Sequence, residues 1–249
     1  MHLRAASWFF APLLLAACGK DSPAVPPDAG LADPEAFFSL QLGRCFEYTT
    51  ADTKQIIPSL GMAVEALDTK QTPVPTHAIT YRTNAVAMMD YVAFDGSSLK
   101  LYKRNLIGGN SYSYDPPLTL LTGPIRPGTA IDSSGAASIR DVSGTLLFDP
   151  PPQYSLRANI FDTSTWPLPA GKSVSGNRVV WTETPSVDRD DVRVFVAGSG
   201  DRTALDGFVQ IDFNFSLDKN QKPLTYKLQT VRDLGADPST AVPQCGLAQ

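Results

Sequence analysis

The amino-acid sequence predicts an all-β protein, built as an antiparallel curved sheet or half-closed β-barrel with little helix. Short apolar and β-branched segments alternate with turn residues throughout the chain after residue 37. Near the C-terminus, apolar and polar side chains alternate in the manner of strands that have one buried and one solvated face. No long segment shows the periodicity of an amphipathic helix.

The chain divides into a leader, a tether and one β-rich domain. Residues 1–17 combine a short basic start with an apolar run that falls short of the roughly 20 residues of a bilayer-spanning helix. Residues 18–35 are rich in proline and poor in large apolar groups, which predicts a flexible, extended tether. Residues 36–249 are expected to form a single domain, and an apolar content of 43% is enough for a core.

Within the domain, apolar segments bounded by turn residues predict the strands in order. Turns are expected at residues 95–98 and 218–223, where Asp, Gly, Ser, Asn and Pro cluster, so the strands around each turn should form hairpins. Residues 60–70 also fit a short helix, and Pro116, Pro117 and the prolines at 150–152 are expected to lie in loops or strand breaks. The candidate strands are 45–50, 62–67, 78–83, 85–94, 99–103, 137–148, 154–161, 178–182, 192–196, 208–217 and 224–231.

The end of the leader, Leu15-Ala16-Ala17-Cys18, resembles the lipobox of bacterial lipoproteins. The resemblance implies that the leader is removed before Cys18, whose sulfur then carries a diacylglycerol and whose amine carries a third acyl chain, a palmitate. Two or three acyl chains together give the stable membrane anchoring that a single chain does not. The alternative is an ordinary secretory leader that leaves Cys18 as a free thiol, which is a liability in an oxidising compartment.

Cysteine counting agrees with a lipid anchor. The chain has three cysteines, so lipidation of Cys18 leaves Cys45 and Cys245 as an even pair in an exported protein. We therefore predict a Cys45–Cys245 disulfide that holds the C-terminal tail beside the first strand. A metal site is the competing interpretation, but the two cysteines lack CxxC spacing and histidine is scarce.

Sequence features around the anchor predict the location and the partners. Gly19, rather than aspartate, follows Cys18, which in enteric bacteria directs a lipoprotein to the outer membrane; the periplasmic or surface side stays open. Loss of the leader, which holds one basic residue, changes the net charge from −4 to −5, and this sign gives no support to nucleic-acid binding. The expected partners are membrane lipid through the anchor and either an envelope protein or a small apolar ligand.

A further resemblance begins at the start of the domain. The segment Phe37-Phe38-Ser39-Leu40-Gln41-Leu42-Gly43-Arg44-Cys45-Phe46-Glu47-Tyr48 is similar to the F-P-L-x-x-G-x-x-W-x-Y opening of uncharacterised β-rich bacterial envelope proteins. It departs from that pattern at Ser39 and at Cys45-Phe46. Residues 120–129 and 166–172 repeat the apolar-Pro-x-x-Gly step. The resemblance implies an antiparallel half-closed sheet similar to that of the periplasmic lipoprotein carriers.

Enzyme chemistry is not indicated by the sequence. His77 is the one histidine left after leader removal, and nothing near it in sequence orients it for acid–base work. Nucleophile-elbow, zinc-protease and phosphate-loop motifs are absent. We therefore predict no catalytic residues, no metal and no cofactor, and a binding or envelope-assembly role. The rival is a hydrolase or metal-dependent enzyme whose carboxylates, with His77, meet only in the fold.

Aromatic residues supply the remaining binding candidates. Tyr102, Tyr112, Tyr114 and Tyr154 are predicted to line a ligand groove, with Tyr112-Ser113-Tyr114 in a glycine-flanked segment as the first choice. The alternative is that these rings, at strand parity, pack in the core or on the sheet surface.

Overall fold

The computed structural model describes residues 34, 40–50, 59–83, 87–167, 171, 173–185, 191–197, 208–213, 224–233 and 245. These residues contain twelve β-strands, and no long helix interrupts them. The strands are β1 (Arg44–Thr50), β2 (Ser59–Asp68), β3 (Thr76–Arg82), β4 (Ala87–Asp95), β5 (Ser98–Leu106), β6 (Ser111–Thr122), β7 (Ala130–Arg140), β8 (Gln153–Pro167), β9 (Ser173–Pro185), β10 (Asp191–Ala197), β11 (Phe208–Phe213) and β12 (Leu224–Asp233).

The twelve strands form one antiparallel sheet in which each strand pairs with its neighbours in the chain. β1 pairs with both β2 and β12, so the strand pairing returns to its starting point and encloses an interior. The predicted all-β antiparallel class is confirmed, and residues 60–70, for which a helix was an alternative, lie mainly in β2. In the described part of the chain, no helix has the length and apolar character needed to cross a membrane.

We call the closed arrangement of twelve paired strands the strand ring, and the direction of the strands gives it two distinct ends. β1 begins at Arg44, so the tether enters at the end that also carries the β4–β5 turn; we call this the tether end. The opposite end, called the far end, carries the β5–β6 and β7–β8 connections. Pro34, which the sequence assigns to the tether, is buried, and a methyl group on Gly123 would lie 2.9 Å from its Cδ. The last part of the tether thus packs against the end of β6; Cys18 and the rest of the tether lie outside the described residues.

Both predicted hairpins have the expected pairing. β4 and β5 pair up to Asp95 and Ser98, and Gly96 at the turn has a positive φ of 60°. β11 and β12 also pair antiparallel, although the turn at 218–223 lies outside the described residues. Backbone hydrogen bonds across short connections explain why sequence-adjacent strands become neighbours in the sheet.

The prediction that Pro116 and Pro117 interrupt a strand is wrong. Both lie inside β6, whose pairing with β5 skips from Ser113 to Leu118 and whose pairing with β7 ends at Asp115. Proline cannot donate to a strand ladder, and the irregular pairing places it where no donor is needed. Gly135 on β7 makes room for this segment, because a Cβ there would lie 2.3 Å from the carbonyl oxygen of Pro116.

The other proline run lies in a connection, as the sequence predicts. Residues 150–152 precede β8, but the predicted strand 137–148 ends early, because β7 stops at Arg140 and the chain turns. β7 also begins seven residues before the predicted strand, and β8 and β9 extend beyond the predicted bounds. The outer residues of these strands are small and polar, so apolar content alone did not mark them.

The glycines of the three apolar-x-x-Gly steps share a backbone conformation. Gly43, Gly128 and Gly171 have φ values of 77°, 76° and 72°, in the left-handed region that favours glycine. Gly43 donates its N–H to the carbonyl of Val64 on β2, and Gly128 donates in the same way to Ile160 on β8. The steps at Gly43 and Gly128 are therefore equivalent turns, each of which leads the chain from the tether end into a strand.

The predicted disulfide is present between Cys45 and Cys245, with the two Cα atoms 5.8 Å apart. Both cysteines are buried and form a small cluster with Ala63 on β2. The bond holds Cys245 against the outside of β1 and β2 and joins positions 200 residues apart.

Candidate functional site

The interior of the strand ring contains two layers of different chemistry. The layer toward the tether end is aliphatic, whereas the layer toward the far end contains buried tyrosines and one group of buried charges. Members of the aliphatic layer include Val92, Leu99, Leu101, Leu118, Leu120, Leu121, Ile125, Ile160 and Val179. The far-end layer contains Tyr48, Tyr81, Tyr112, Tyr114, Tyr154 and Tyr226, together with Asp90, Arg104 and Glu183, which we call the Arg104 cluster.

A strand irregularity places Arg104 inside the ring. Leu99 and Leu101 on β5 are buried in the core, and simple alternation would put Lys103 on the same face. The pairing with β4 shifts at Tyr102, so that Leu101 pairs with Val92 but Arg104 pairs with the inward-facing Asp90. The extra residue reverses the parity of the strand beyond it, as a β-bulge does.

The Arg104 guanidinium links two carboxylates from different parts of the ring. Its Nε and Nη2 donate to the two oxygens of Asp90 on β4, at 2.6 and 2.9 Å. Its Nη1 lies 2.9 and 2.6 Å from the two oxygens of Glu183 on β9. The three side chains are at most 6% exposed, so this bidentate arrangement joins β4 and β5 to β9 through the interior.

Electrostatics keep Arg104 charged. Burial by itself would lower the pKa of Arg104, but attraction from Asp90 and then Glu183 outweighs burial and raises the pKa well above its ordinary value. Removing one member of such a group leaves a buried charge without compensation, which costs far more than the group contributes as a whole. The cluster is therefore a buried element of the interior that depends on all three of its members.

Three of the four predicted binding tyrosines come together. Tyr112 and Tyr114 both make edge-to-face contacts with Tyr154, with ring centroids 6.1 and 5.8 Å apart. Tyr102 is separate from them, because it occupies the irregular position on β5 and is only half-buried. The structure thus places Tyr112, Tyr114 and Tyr154 in the packed core, the alternative that the sequence left open.

Burial also changes the acidity of groups in and near this layer. It raises the pKa of Tyr48 well above its ordinary value, with Tyr81 adding to the shift, and it raises the pKa of Tyr226 to about 12. Burial lowers the pKa of His77, which pairs with Val92 nearer the tether end. Tyr48 and Tyr226 therefore stay neutral, and so does His77, at neutral pH.

A second contact crosses the interior through the aliphatic layer. Trp181 on β9 donates its indole N–H to the carbonyl oxygen of Leu120 on β6, at 2.8 Å. Trp181 is buried and lies two residues before Glu183 on the same strand. Both contacts join β9 to strands three to five places away in the ring, so side chains fill the interior between these strands.

The outer face carries a shallow polar depression across β7, β8 and β9. It has a volume of about 440 Å³, and Ser134, Ser155 and Thr182 contribute to its lining. An exposed ion pair between Arg157 and Asp132, at 3.0 Å, lies in it. Exposed pairs of this kind contribute little to stability.

Within the described ranges, no group of three or more His, Cys, Asp or Glu side chains has an arrangement that would hold a metal ion. The two carboxylates that do converge are held by a cation of the protein itself, Arg104.

Comparisons with known proteins assign no family to the chain. No protein family matches it, and no curated protein matches it. Among solved structures, it is similar to a protein from Parabacteroides distasonis described as a "putative lipoprotein", with a TM-score of 0.42 and 11% sequence identity. That similarity covers 79% of this chain and 98% of the other chain, and it is too low to carry an argument about function.

Proposed function

We propose that the protein is a lipid-anchored component of the bacterial cell envelope, whose strand ring is a non-enzymatic binding or assembly module. The observation that carries the proposal is the use of the three cysteines. Cys45 and Cys245 pair with each other, which leaves Cys18, at the lipobox, as the third. A disulfide also fits export to an oxidising compartment.

The Arg104 cluster argues for a structural role of its carboxylates rather than a catalytic one. An enzyme that uses carboxylates for acid–base chemistry needs a group that exchanges protons near the working pH. Asp90 and Glu183 each direct both carboxylate oxygens to the guanidinium of Arg104, so these carboxylates connect strands inside the protein. His77, at the start of β3, lies nearer the tether end than the Arg104 cluster, so it is not the partner of these carboxylates that the rival enzyme hypothesis requires.

The contacts across the interior favour binding at the outside of the ring over a bound acyl chain inside it. Trp181 reaches Leu120, and Arg104 reaches Glu183, through the space that an apolar ligand would occupy. An anchored module with a packed interior presents its ends and outer face to other envelope components. An outer-membrane location follows from Gly19 and remains part of the proposal.

Acyl labelling of the full chain, made in a bacterial host, tests the anchor. We expect the native protein to incorporate labelled palmitate and to fractionate with membranes, whereas Cys18→Ala should remain unlabelled and soluble. The paired variant Cys45→Ser with Cys245→Ser is the matched control and should still be labelled. Normal labelling and membrane fractionation of Cys18→Ala would contradict the proposal.

Native mass spectrometry tests the packed interior. The protein beginning at residue 18, with Cys18→Ala and made in an oxidising compartment, is expected to have the mass of the polypeptide alone. A co-purified lipid in stoichiometric amount would instead favour an acyl-binding role inside the ring.

A further inference from the structure

Exposed apolar side chains concentrate in the connection after β7. Val142 is 75% exposed, and Leu146, Leu147 and Phe148 are between 38% and 41% exposed; we call these four residues the apolar tip. Ile107, 54% exposed, lies in the neighbouring β5–β6 connection at the same end of the ring. Apolar residues grouped on a surface mark contacts with another molecule or a membrane more often than do single ones.

The backbone of this connection is firmly hydrogen-bonded. The Asp141 carboxylate accepts hydrogen bonds from the backbone N–H groups of Ser143 and Thr145, both at 2.9 Å. Leu147 donates its N–H to the carbonyl oxygen of Ile139, which extends the β7 pairing into the connection. The turn therefore holds the apolar tip in place instead of allowing its side chains to collapse onto the ring.

The apolar tip has the composition of a segment that enters the bilayer interface. Residues 142–148 contain no charged side chain, and neither do residues 106–110 beside them. Four side chains are too few for a stable protein interface, which normally takes about 20–30 residues on each side. A bilayer needs no matching pocket, and an acyl anchor keeps the protein at the surface so that a small apolar contact suffices.

The tether is long enough for the tip and the anchor to reach one bilayer. Pro34, packed beside Gly123, lies 16 positions after Cys18, and such a segment spans up to about 50 Å at roughly 3 Å per residue. β7, which leads from the tether end to the tip, has 11 residues and spans about 36 Å. The tether therefore exceeds the length of the ring.

We propose that the apolar tip inserts into the interface of the bilayer that holds the acyl anchor, as a second membrane contact. The second contact rests on the proposed lipid anchor for its biological setting, but insertion is a property of the tip itself. It would fix the orientation of the ring, which a flexible tether alone leaves free.

Tryptophan fluorescence on unanchored protein tests the tip separately from Cys18. The protein beginning at residue 18, with Cys18→Ala and Phe148→Trp, is mixed with vesicles of phosphatidylethanolamine and phosphatidylglycerol. We expect its emission to gain a blue-shifted component that brominated lipids quench. Adding Leu147→Asp should weaken vesicle partitioning by about tenfold or more, since a charge replaces an apolar group at the interface.

Leu67→Asp is the matched control, because Leu67 is 48% exposed but lies at the tether end. It should leave partitioning unchanged. Three results would overturn the proposal: no vesicle-dependent emission change, an equal loss with Leu67→Asp, or a shift that follows protein concentration without vesicles and so indicates a second copy. None of these results would change the outcome expected for acyl labelling at Cys18, so the two proposals can fail separately.

Discussion

The two layers of the interior stabilise the same ring by different means. The tether-end layer buries aliphatic side chains such as Leu99, Leu118 and Leu121, which interact without directional requirements. The far-end layer holds Arg104 between Asp90 and Glu183, an arrangement with strict geometry. Burial of the aliphatic layer therefore supplies general stability, whereas the Arg104 cluster determines which strands face each other across the interior.

The largest expected effect is the loss of the central cation. Arg104→Ala should lower the free energy of unfolding by about 3–5 kcal/mol, because two buried carboxylates then lose their partner. Arg157→Ala is the matched control: its pair with Asp132 is exposed, so about 1 kcal/mol or less should be lost. Urea denaturation measures both, and equal losses would remove the distinction between the buried and exposed pairs.

Truncation in the aliphatic layer should come next. Leu118→Ala is expected to cost about 2–5 kcal/mol, through lost burial and the cavity left behind. Leu67→Ala, at an exposed position, should stay within about 0.5 kcal/mol of the native protein. If thermal or urea unfolding shows no such gap, the aliphatic layer is not a packed core.

The tyrosine contacts should make a smaller, directional contribution. A double-mutant cycle with Tyr112→Leu and Tyr154→Leu is expected to give a coupling energy of about 0.5–1.5 kcal/mol, typical of edge-to-face pairs. The same cycle between Tyr102 and Tyr154 should give a value near zero, since Tyr102 lies apart from the aromatic group. Coupling of similar size in both cycles would argue against a specific ring contact.

The smallest effect concerns alkaline pH. The pKa of Tyr226 is raised to about 12 in the folded protein, so above pH 10 the unfolded chain loses this proton first. Stability contributed by Tyr226 is present below about pH 10 and falls as the pH approaches 12. Tyr226→Phe should flatten the decline of unfolding free energy over this interval, measured by rapid urea unfolding; an unchanged slope would assign the decline to other groups.

Local sequence patterns predicted the elements whose cause is local. Asp95-Gly96-Ser97 specifies a turn by residue type, and the glycines at 43, 128 and 171 supply the positive φ that their steps require. The Cys45–Cys245 pair followed from counting cysteines in an exported chain, without any geometric information. Pro116 and Pro117 misled the prediction, because their tolerance within β6 depends on pairing with β5 and β7.

The Arg104 cluster was not predictable in this way. Its members lie 14 and 79 positions apart, and no motif connects them. Alternation along β5 from Leu99 and Leu101 points to Lys103, and only the irregularity at Tyr102 turns Arg104 inward. A buried arginine is recognisable only once its carboxylates are known to be near, since charged side chains are otherwise expected at the surface.

Residue types and their spacing along the chain are enough to predict the fold class and the hairpins, which depend on local neighbours, and counting cysteines is enough to predict the disulfide. The sequence also supplies the lipobox on which the proposed anchor rests. Only the folded chain shows how the strand ring closes, which side chains meet in its interior and where the apolar tip lies relative to the tether. These features depend on register and on contacts between distant strands, which alternation along a single strand does not encode.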